Sequence, residues 1–419
     1  MRRIPTLTAL LLSLGTLHAQ WVQLGDSANS SIDVMKVYDG KLFLAGNMTR
    51  FNGLTTYFSM SYNGTSFSMH PTMLGGSGFS CLEVYNDQLY GGGTMVQSGQ
   101  AGTVQWAGGT WAAGPISTNN TINVLSMLNW NNLLIFGGSF TVPQTRIVQY
   151  NGTTAQAMGA GFDNSVLALA AFNGSLYAAG TMTHSGSTNI GYVAKWNGTG
   201  WEDVGGGFNN YCTAIVAHDG FLYAAGAFTT AGGVAAGGIA RWNGSVWQPV
   251  GGSITAGSAM SLESTSAGLL VGGVGMSVGT VSGANALLFD GSAWSQLPGI
   301  PPIESVLDFE EYQGRIYAVG YRPGSAAAGH VYRNTSMGFA ELDPFPALQA
   351  YPNPSSGQLQ LAGLTSFQGR FEVMDATGRT CLGGGLDNTL DVSSLLPGTY
   401  LLRIITPQGS TVRRFMRSY

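Results

Sequence analysis

The strongest constraint on this chain is a period. A glycine closes the same short apolar stretch at Gly46, Gly93, Gly138, Gly180, Gly226, Gly273 and Gly320, at spacings of 47, 45, 42, 46, 47 and 47 residues. Two copies are nearly identical. One reads Phe172-Asn173-Gly174-Ser175-Leu176-Tyr177-Ala178-Ala179-Gly180, then Trp196-Asn197-Gly198 and Trp201. The next reads His218-Asp219-Gly220-Phe221-Leu222-Tyr223-Ala224-Ala225-Gly226, then Trp242-Asn243-Gly244 and Trp247. Each copy parses into four strands: an apolar first strand, a tight turn, the strand that ends in glycine, a longer loop, an aromatic-ended third strand, an Asn-Gly turn and a Trp-led fourth. A unit of this length cannot bury both faces of its sheet without neighbours, and repeats of ~40–50 residues punctuated by aromatics and Gly-Gly specify a β-propeller. The chain is therefore predicted to be all-β, with seven four-stranded blades over residues 20–343.

Local chemistry agrees with that parse. Asn-Gly suits two-residue hairpin turns, where both positions take positive φ. The small residues ending the second strand are expected to let blades crowd the axis, while Tyr, Trp and Phe fill the wider space between blades. Trp21-Val22-Gln23-Leu24-Gly25 reads as a fourth strand placed before the first repeat, so it is expected to pair with the last blade and close the ring. Phe339-Ala340-Glu341-Leu342 competes for that slot and keeps an eighth, partial blade open. Of 419 residues 63 are Gly and only 38 are charged, too few to clothe helices. A hydrophobic content of 44% excludes disorder, and a formal charge of −4 leaves no electrostatic footprint for nucleic acid.

The two ends are addresses. Met1-Arg2-Arg3 and an apolar run from Ile4 to Leu17 read as a secretory signal peptide over residues 1–19, cleaved between Ala19 and Gln20. No later segment is apolar for long enough to span a bilayer as a helix. From residue 344 onward short alternating strands are joined by Asp/Gly and Pro-Gly turns, the pattern of a small Ig-like β-sandwich. Its motifs are Tyr351-Pro352-Asn353-Pro354, then Asp375 with Gly378-Arg379, then Pro397-Gly398 with Tyr400, and a basic last strand through Arg413-Arg414. In that order they resemble the type A C-terminal sorting domain of type IX secretion cargo in Bacteroidota. The resemblance implies a partner, the type IX machinery, and a route through the periplasm to a secreted or surface-attached location. The repeats resemble kelch-type propellers, which carry a Gly-Gly pair followed by spaced Tyr and Trp. Gly92-Gly93, Gly137-Gly138 and Gly272-Gly273 keep the pair, and the other four copies have Ala-Gly or Val-Gly.

The strand order puts both tight turns of a blade at one end, so the longer second-to-third-strand loops and the inter-blade connections gather at the other. That loop-bearing face is the expected binding surface. Charged side chains are scarce there, which singles out Arg50, His184 and Arg322 as ligand-binding candidates. Glu304, Asp308, Glu310 and Glu311 form the one acidic row; alternation puts the first three on one side, the pattern of an exposed or cation-touching strand edge. His218 aligns with Tyr38, Tyr85, Trp130, Phe172 and Tyr312 and is expected to pack as they do. No His or Cys spacing marks a metal site, no motif requires a cofactor, and no catalytic residue is identified. Cys81, Cys212 and Cys381 are too few for a disulfide framework, which leaves free buried thiols as the expectation. The sequence thus points to a secreted or cell-surface module that binds a polysaccharide or protein. A carbohydrate-active enzyme, such as a glycoside hydrolase or lyase, and a structural adhesion or surface-layer component are the alternatives.

Overall fold

The computed structural model describes residues 21–70, 75–97, 100–118, 123–142, 145–297, 300, 304–322, 328–334, 349–351, 355–362, 369–375, 380–406 and 409–417. Ala19 and Gln20, Pro352 to Pro354, Gly378, Arg379, the 343/344 boundary and the competing strand at 339–342 lie outside them. All regular structure among the described residues is β-strand, and no helix is long and apolar enough to cross a membrane. The chain divides into two compact units, Met1–Gly338 and Phe339–Tyr419.

Among the described residues the first unit contains seven four-stranded antiparallel sheets, numbered along the chain. Sheet 1 is built from Ile32–Tyr38, Lys41–Gly46, Ser59–Tyr62 and Phe67–Met69. Sheet 2 is built from Gly75–Tyr85, Gln88–Gln97, Gln100–Trp106 and Trp111–Thr118. Sheet 3 follows with Val124–Trp130, Leu133–Gly138, Ile147–Tyr150 and Ala155–Ala157, and sheet 4 with Val166–Phe172, Ser175–Gly180, Val193–Trp196 and Trp201–Asp203. Sheet 5 takes Cys212–His218, Phe221–Gly226, Ile239–Trp242 and Trp247–Pro249; sheet 6 takes Ile254–Thr265, Gly268–Val278, Val281–Phe289 and Trp294–Gln296. Sheet 7 has Ser305–Tyr312, Arg315–Arg322 and Ala328–Asn334, and its fourth strand is Trp21–Gln23, with Trp21 opposite Asn334. The first strands touch in order from sheet 1 to sheet 7, and that of sheet 7 returns to that of sheet 1. This is a propeller-like arrangement in which the N-terminal strand completes the last sheet.

The repeating glycine has a cause other than crowding between blades. In every sheet the first strand shifts register one residue after its partner to that glycine: Ile32/Val34, Phe79/Cys81, Val124/Ser126, Val166/Ala168, Cys212/Ala214, Ala259/Ser261 and Val306/Asp308. Just before the bulge a carbonyl faces the end of the second strand; Ser31, Asn123, Ser165 and Tyr211 O accept from the N–H of Asn47, Ser139, Thr181 and Ala227, each the residue after the glycine. A Cβ on Gly46, Gly93, Gly138, Gly180, Gly226, Gly273 or Gly320 would lie closer than 3.0 Å to the oxygen of Ser31, Gly78, Asn123, Ser165, Tyr211, Ser258 or Ser305, respectively. The period in the sequence therefore records a bulge within each sheet.

Consecutive sheets are tied at both radii. Near the axis, Tyr38 Oη donates to Asp87 O at 3.0 Å, Tyr85 Oη to Asn132 O at 2.9 Å and Tyr312 Oη to Gly40 O at 2.8 Å. His218 makes the corresponding tie, Nδ1 to Ser264 Oγ at 2.9 Å, which matches its expected packing role. Further out, Trp201, Trp247 and Trp294 donate Nε1–H to the carbonyls of Met158, Val204 and Val250, each just past the fourth strand of the preceding sheet. Each ring thus buries its apolar body between two sheets while its polar edge stays bonded.

The two Asn-Gly turns differ. The first is the two-residue turn expected: Asn173 and Gly174 have φ of 48° and 74°, with Phe172 opposite Ser175. The second is a four-residue loop. Asn197 N–H donates to Gly200 O at 3.1 Å, and Asn197 Oδ1 accepts from the N–H groups of Thr199 and Gly200. Asn63, Asn151, Asn243 and Asp290 repeat that cap.

The second unit has a three-stranded sheet (Gln349–Tyr351, Gln358–Ala362, Thr389–Asp391) and a four-stranded one (Thr380–Gly385, Arg370–Met374, Gly398–Thr406, Gly409–Arg417). They share one core of Leu359, Phe371, Val373, Leu390, Leu402, Ile404 and Phe415. Tyr351 ends the first strand and is exposed, and Asp375 follows Arg370–Met374. Exposed Pro397 leads into the strand opened by Gly398, and buried Tyr400 closes that turn by donating Oη–H to Leu396 O at 2.9 Å. Cys81 and Cys212 are buried free thiols, with burial raising the first and pushing the second up to about 12. Cys381 departs from expectation: it is exposed, on the outer strand Thr380–Gly385.

Candidate functional site

The face opposite the tight turns is more built than its sequence suggested. In sheets 1, 4 and 5 the second-to-third-strand connection folds into a small hairpin: Arg50–Phe51 with Leu54–Thr55, His184–Ser185 with Thr188–Asn189, and Thr230–Ala231 with Val234–Ala235. One polar residue clamps each from the preceding connection. Asn29 Oδ1 accepts from Thr49 and Arg50 N–H, both at 2.9 Å. Asp163 Oδ1 accepts from Thr183 N–H at 2.9 Å and His184 N–H at 3.1 Å, and Asn209 Oδ1 from Thr229 N–H at 2.8 Å and Thr230 N–H at 3.0 Å. Burial opposes charge on Asp163, yet the bond from the Thr183 hydroxyl to Oδ2 at 2.7 Å, together with these backbone bonds, outweighs it and holds the carboxyl below the usual range. Asn52-Gly53 and Gly232-Gly233, all at positive φ, were the sequence signals for two of the hairpins. Elsewhere the expected loops are strand: in sheets 2, 6 and 7 most of residues 94–101, 274–284 and 321–329 that are described continue the ladder.

The three singled-out residues each have a local partner. Arg50 donates to Gly53 O at 3.0 Å, within its own hairpin. His184 Nδ1 lies 2.9 Å from Thr183 Oγ1 and 3.5 Å from Asp163 Oδ2. Arg322 Nε bonds Glu304 Oε1 at 3.1 Å, and His330 Nδ1 reaches the same oxygen at 2.9 Å. Glu304 is fully buried. Among the described residues no contact joins Arg50, His184 and Arg322 to one another.

The acidic row is divided: Glu311 is exposed, Glu304 is buried against the cation of Arg322 as a cation-touching position, and Asp308 and Glu310 are partly buried between sheets rather than on an exposed edge. The bulge between Val306 and Asp308 resets the alternation, so Glu304 engages its own sheet. Asp308 Oδ2 and Glu310 Oε1 instead accept from Met35 and Val37 N–H of sheet 1, at 2.7 and 3.3 Å. Two residues past each bulge stand Lys36, Glu83, Leu128, Ala170, Val216, Glu263 and Glu310, one per first strand. The position is charged in sheets 6, 7, 1 and 2 and apolar in sheets 3, 4 and 5. Lys36 Nζ lies 3.3 Å from Glu83 Oε1, while burial and then neighbouring Glu310 push Glu263 up to about 8. Burial pushes Glu310 up to about 6, against Lys36. Asp308, Glu310 and Glu83 thus bond across to a neighbouring sheet, whereas Glu304 bonds within sheet 7. Among the described residues no group of three or more His, Cys, Asp or Glu side chains could hold a metal ion.

What the sequence did not show is where exposed apolar side chains gather. Of the seven large hydrophobics exposed in the described part of the first unit, Leu54, Val142, Tyr211, Val234 and Met260 belong to the loop-bearing end, against Val22 and Val246 elsewhere. The tight-turn end carries the charged Asp39, Lys41, Asp87, Asp219 and Arg315, and the loop-bearing end adds the exposed charged groups Arg50, Asp163 and Arg322 to its apolar ones. Between sheets 5 and 6 the loop-bearing face opens into a groove of about 380 Å³, lined by residues that include Tyr211, Thr229, Gly237, Gly257, Ser258 and Met260.

Comparison with known proteins bears on both units. Residues 349–417 match the family of secretion system C-terminal sorting domains. The second unit is thus a type IX sorting domain, and it directs export to a secreted or cell-surface location. No curated protein sequence matches the chain. Among solved structures it is similar to the extracellular domain of a hybrid two-component system of B. thetaiotaomicron, at 12% identity and a TM-score of 0.50 over 95% of this chain and 58% of that one. A second structure, described as a one-component system of the same organism, gives 12% identity, a TM-score of 0.51 and the same coverage. The WD40 propeller of Doa1 gives 13% identity and a TM-score of 0.46, over 76% of this chain and 99% of that one. The chain spans little more than half the length of the two bacterial domains, and at this identity the likeness speaks to the fold.

Proposed function

We propose that the first unit is a closed, seven-bladed, kelch-like propeller over residues 20–343. Residues 1–19 lead it across the inner membrane of a Bacteroidota cell, and the type IX machinery takes residues 344–419 to deliver it outside. There its loop-bearing face binds an extracellular polymer, a polysaccharide in the first place and a protein in the second. The carrying observation is the segregation of side chains: five of seven exposed large hydrophobics lie at the loop-bearing end. Water-facing apolar groups on a protein destined for the outside mark a contact surface. Arg50 shares its hairpin with Leu54, so a cation stands beside one of the apolar contacts.

The test is co-sedimentation of the secreted protein with insoluble cellulose, xylan, mannan and chitin. A Leu54→Asp/Val142→Asp/Val234→Asp variant is expected to stay in the supernatant when wild type pellets, and Val246→Asp, at the other end of sheet 5, is expected to pellet normally. Equal loss in both variants, or in neither, overturns the assignment of the face.

A further inference from the structure

We infer that the groove between sheets 5 and 6 holds a neutral sugar residue of a polysaccharide, stacked on the ring of Tyr211; this rests on the reading of the loop-bearing face as a binding surface. The groove exists because neighbouring sheets differ in length. The first two strands of sheet 5 have 7 and 6 residues, whereas those of sheet 6 have 12 and 11. The extra length of sheet 6 rises past the end of sheet 5 and forms a wall. Three register shifts and Gly257, at φ 77°, bend that wall, and a Cβ on Gly257 would run into Val274 O and the backbone of Gly275. Gly226, Gly237 and Gly238 line the groove from sheet 5 and its connection, leaving room where side chains would stand. Thr213 Oγ1 fixes its width, donating to Ala225 O in sheet 5 at 3.0 Å and lying 3.1 Å from Ala259 O in sheet 6. The cavity is preformed, which lowers the ordering cost of binding.

Its lining selects the ligand. No Asp, Glu, Lys, Arg or His is among the lining residues, so an ion entering would lose hydration without a countercharge. What the groove offers is an aromatic residue, Tyr211, which is 41% exposed, together with hydroxyls. Asn209 Nδ2 donates to Thr229 Oγ1 at 2.7 Å, which holds that hydroxyl in place with its own proton to give. Ser258 on the wall is exposed. A ring with an apolar C–H face and a hydroxyl rim matches this combination: its face covers Tyr211 and its rim meets Thr229 and Ser258. A volume of about 380 Å³ lies within the range of small-ligand sites, so the groove takes one end or one segment of a chain rather than a long stretch.

Calorimetric titration of the secreted protein with cellohexaose, xylohexaose, mannohexaose and laminarihexaose tests this. At least one is expected to bind; Tyr211→Ala is expected to weaken it about tenfold and Tyr211→Phe by less than about threefold. Ser258→Trp, which fills the groove from the opposite wall, is expected to abolish it, with thermal unfolding confirming that each variant is folded. Failure of all four sugars to bind, or binding unchanged in Tyr211→Ala and Ser258→Trp, overturns the inference. Insensitivity to these two variants with loss in the Leu54/Val142/Val234 variant sinks the groove alone; insensitivity to all of them sinks the binding face as well.

Discussion

A single residue type, glycine, does two separable jobs, and substitution tells them apart. Gly180→Ala drives a methyl into Ser165 O, while Gly200 has nothing within 4 Å of a new Cβ and no positive φ. The first change is expected to destabilise by about 1–3 kcal/mol and the second by less than about 0.5 kcal/mol, read from urea midpoints. Glu263 gives a pH signature at the same scale. Burial, then the charge of Glu310, raises its pKa from 4.5 to about 8, so the folded state holds a proton that the unfolded state has released between those values. Its contribution to stability is full below about 4.5 and is lost as pH rises through about 8. Glu263→Gln is expected to flatten the decline in melting temperature across that window and to raise the melting temperature at pH 9. An unchanged profile would show that Glu263 is ionised at little cost. The sequence displayed the acidic row, but the break in its alternation is marked only on the partner strand, by Gly320, whose link to the Val306/Asp308 bulge the fold supplies.

Elements carry the joints between sheets. Trp21–Gln23 supplies the fourth strand of sheet 7, so its removal exposes the edge of Ala328–Asn334 and leaves the last sheet with three strands. A chain beginning at Leu24 is expected to melt at a distinctly lower temperature and to expose hydrophobic surface to a reporter dye. If its melting curve overlays that of the intact chain, the strand is not the clasp. Tyr312→Phe removes two bonds, Oη–H to Gly40 O and Gln313 Nε2–H to Oη, and is expected to cost about 1–2 kcal/mol. The Trp-led opening segment was legible as a displaced fourth strand because it copies Trp201-Glu202-Asp203-Val204-Gly205. The hairpin at His184 was not, because its short strands resemble loop composition and are held by a distant clamp, Asp163. Arg50 and His184 stood out as charge in loops; the fold shows what positions their backbones, and it put the groove elsewhere.

At the scale of the molecule the two units have different tasks. Residues 21–343 carry 17 acidic and 9 basic side chains, and residues 344–419 carry 4 and 6. Deleting residues 344–419 is expected to leave the first unit folded and trapped inside the outer membrane, as cell fractionation would show. Its appearance in the medium would mean that the sorting domain is dispensable for export.

The sequence by itself determined the repeat number, the all-β class, the displaced first strand and the sorting tail, because each is written in local patterns: a period, turn dipeptides, a Trp-led strand and ordered motifs. The tertiary structure decided why the period is glycine, which acidic groups are buried together, and which end of the sheets gathers apolar side chains around a groove. Those properties depend on how strands of unequal length and shifted register stand beside one another, and neighbours made in space leave no periodic trace in the chain.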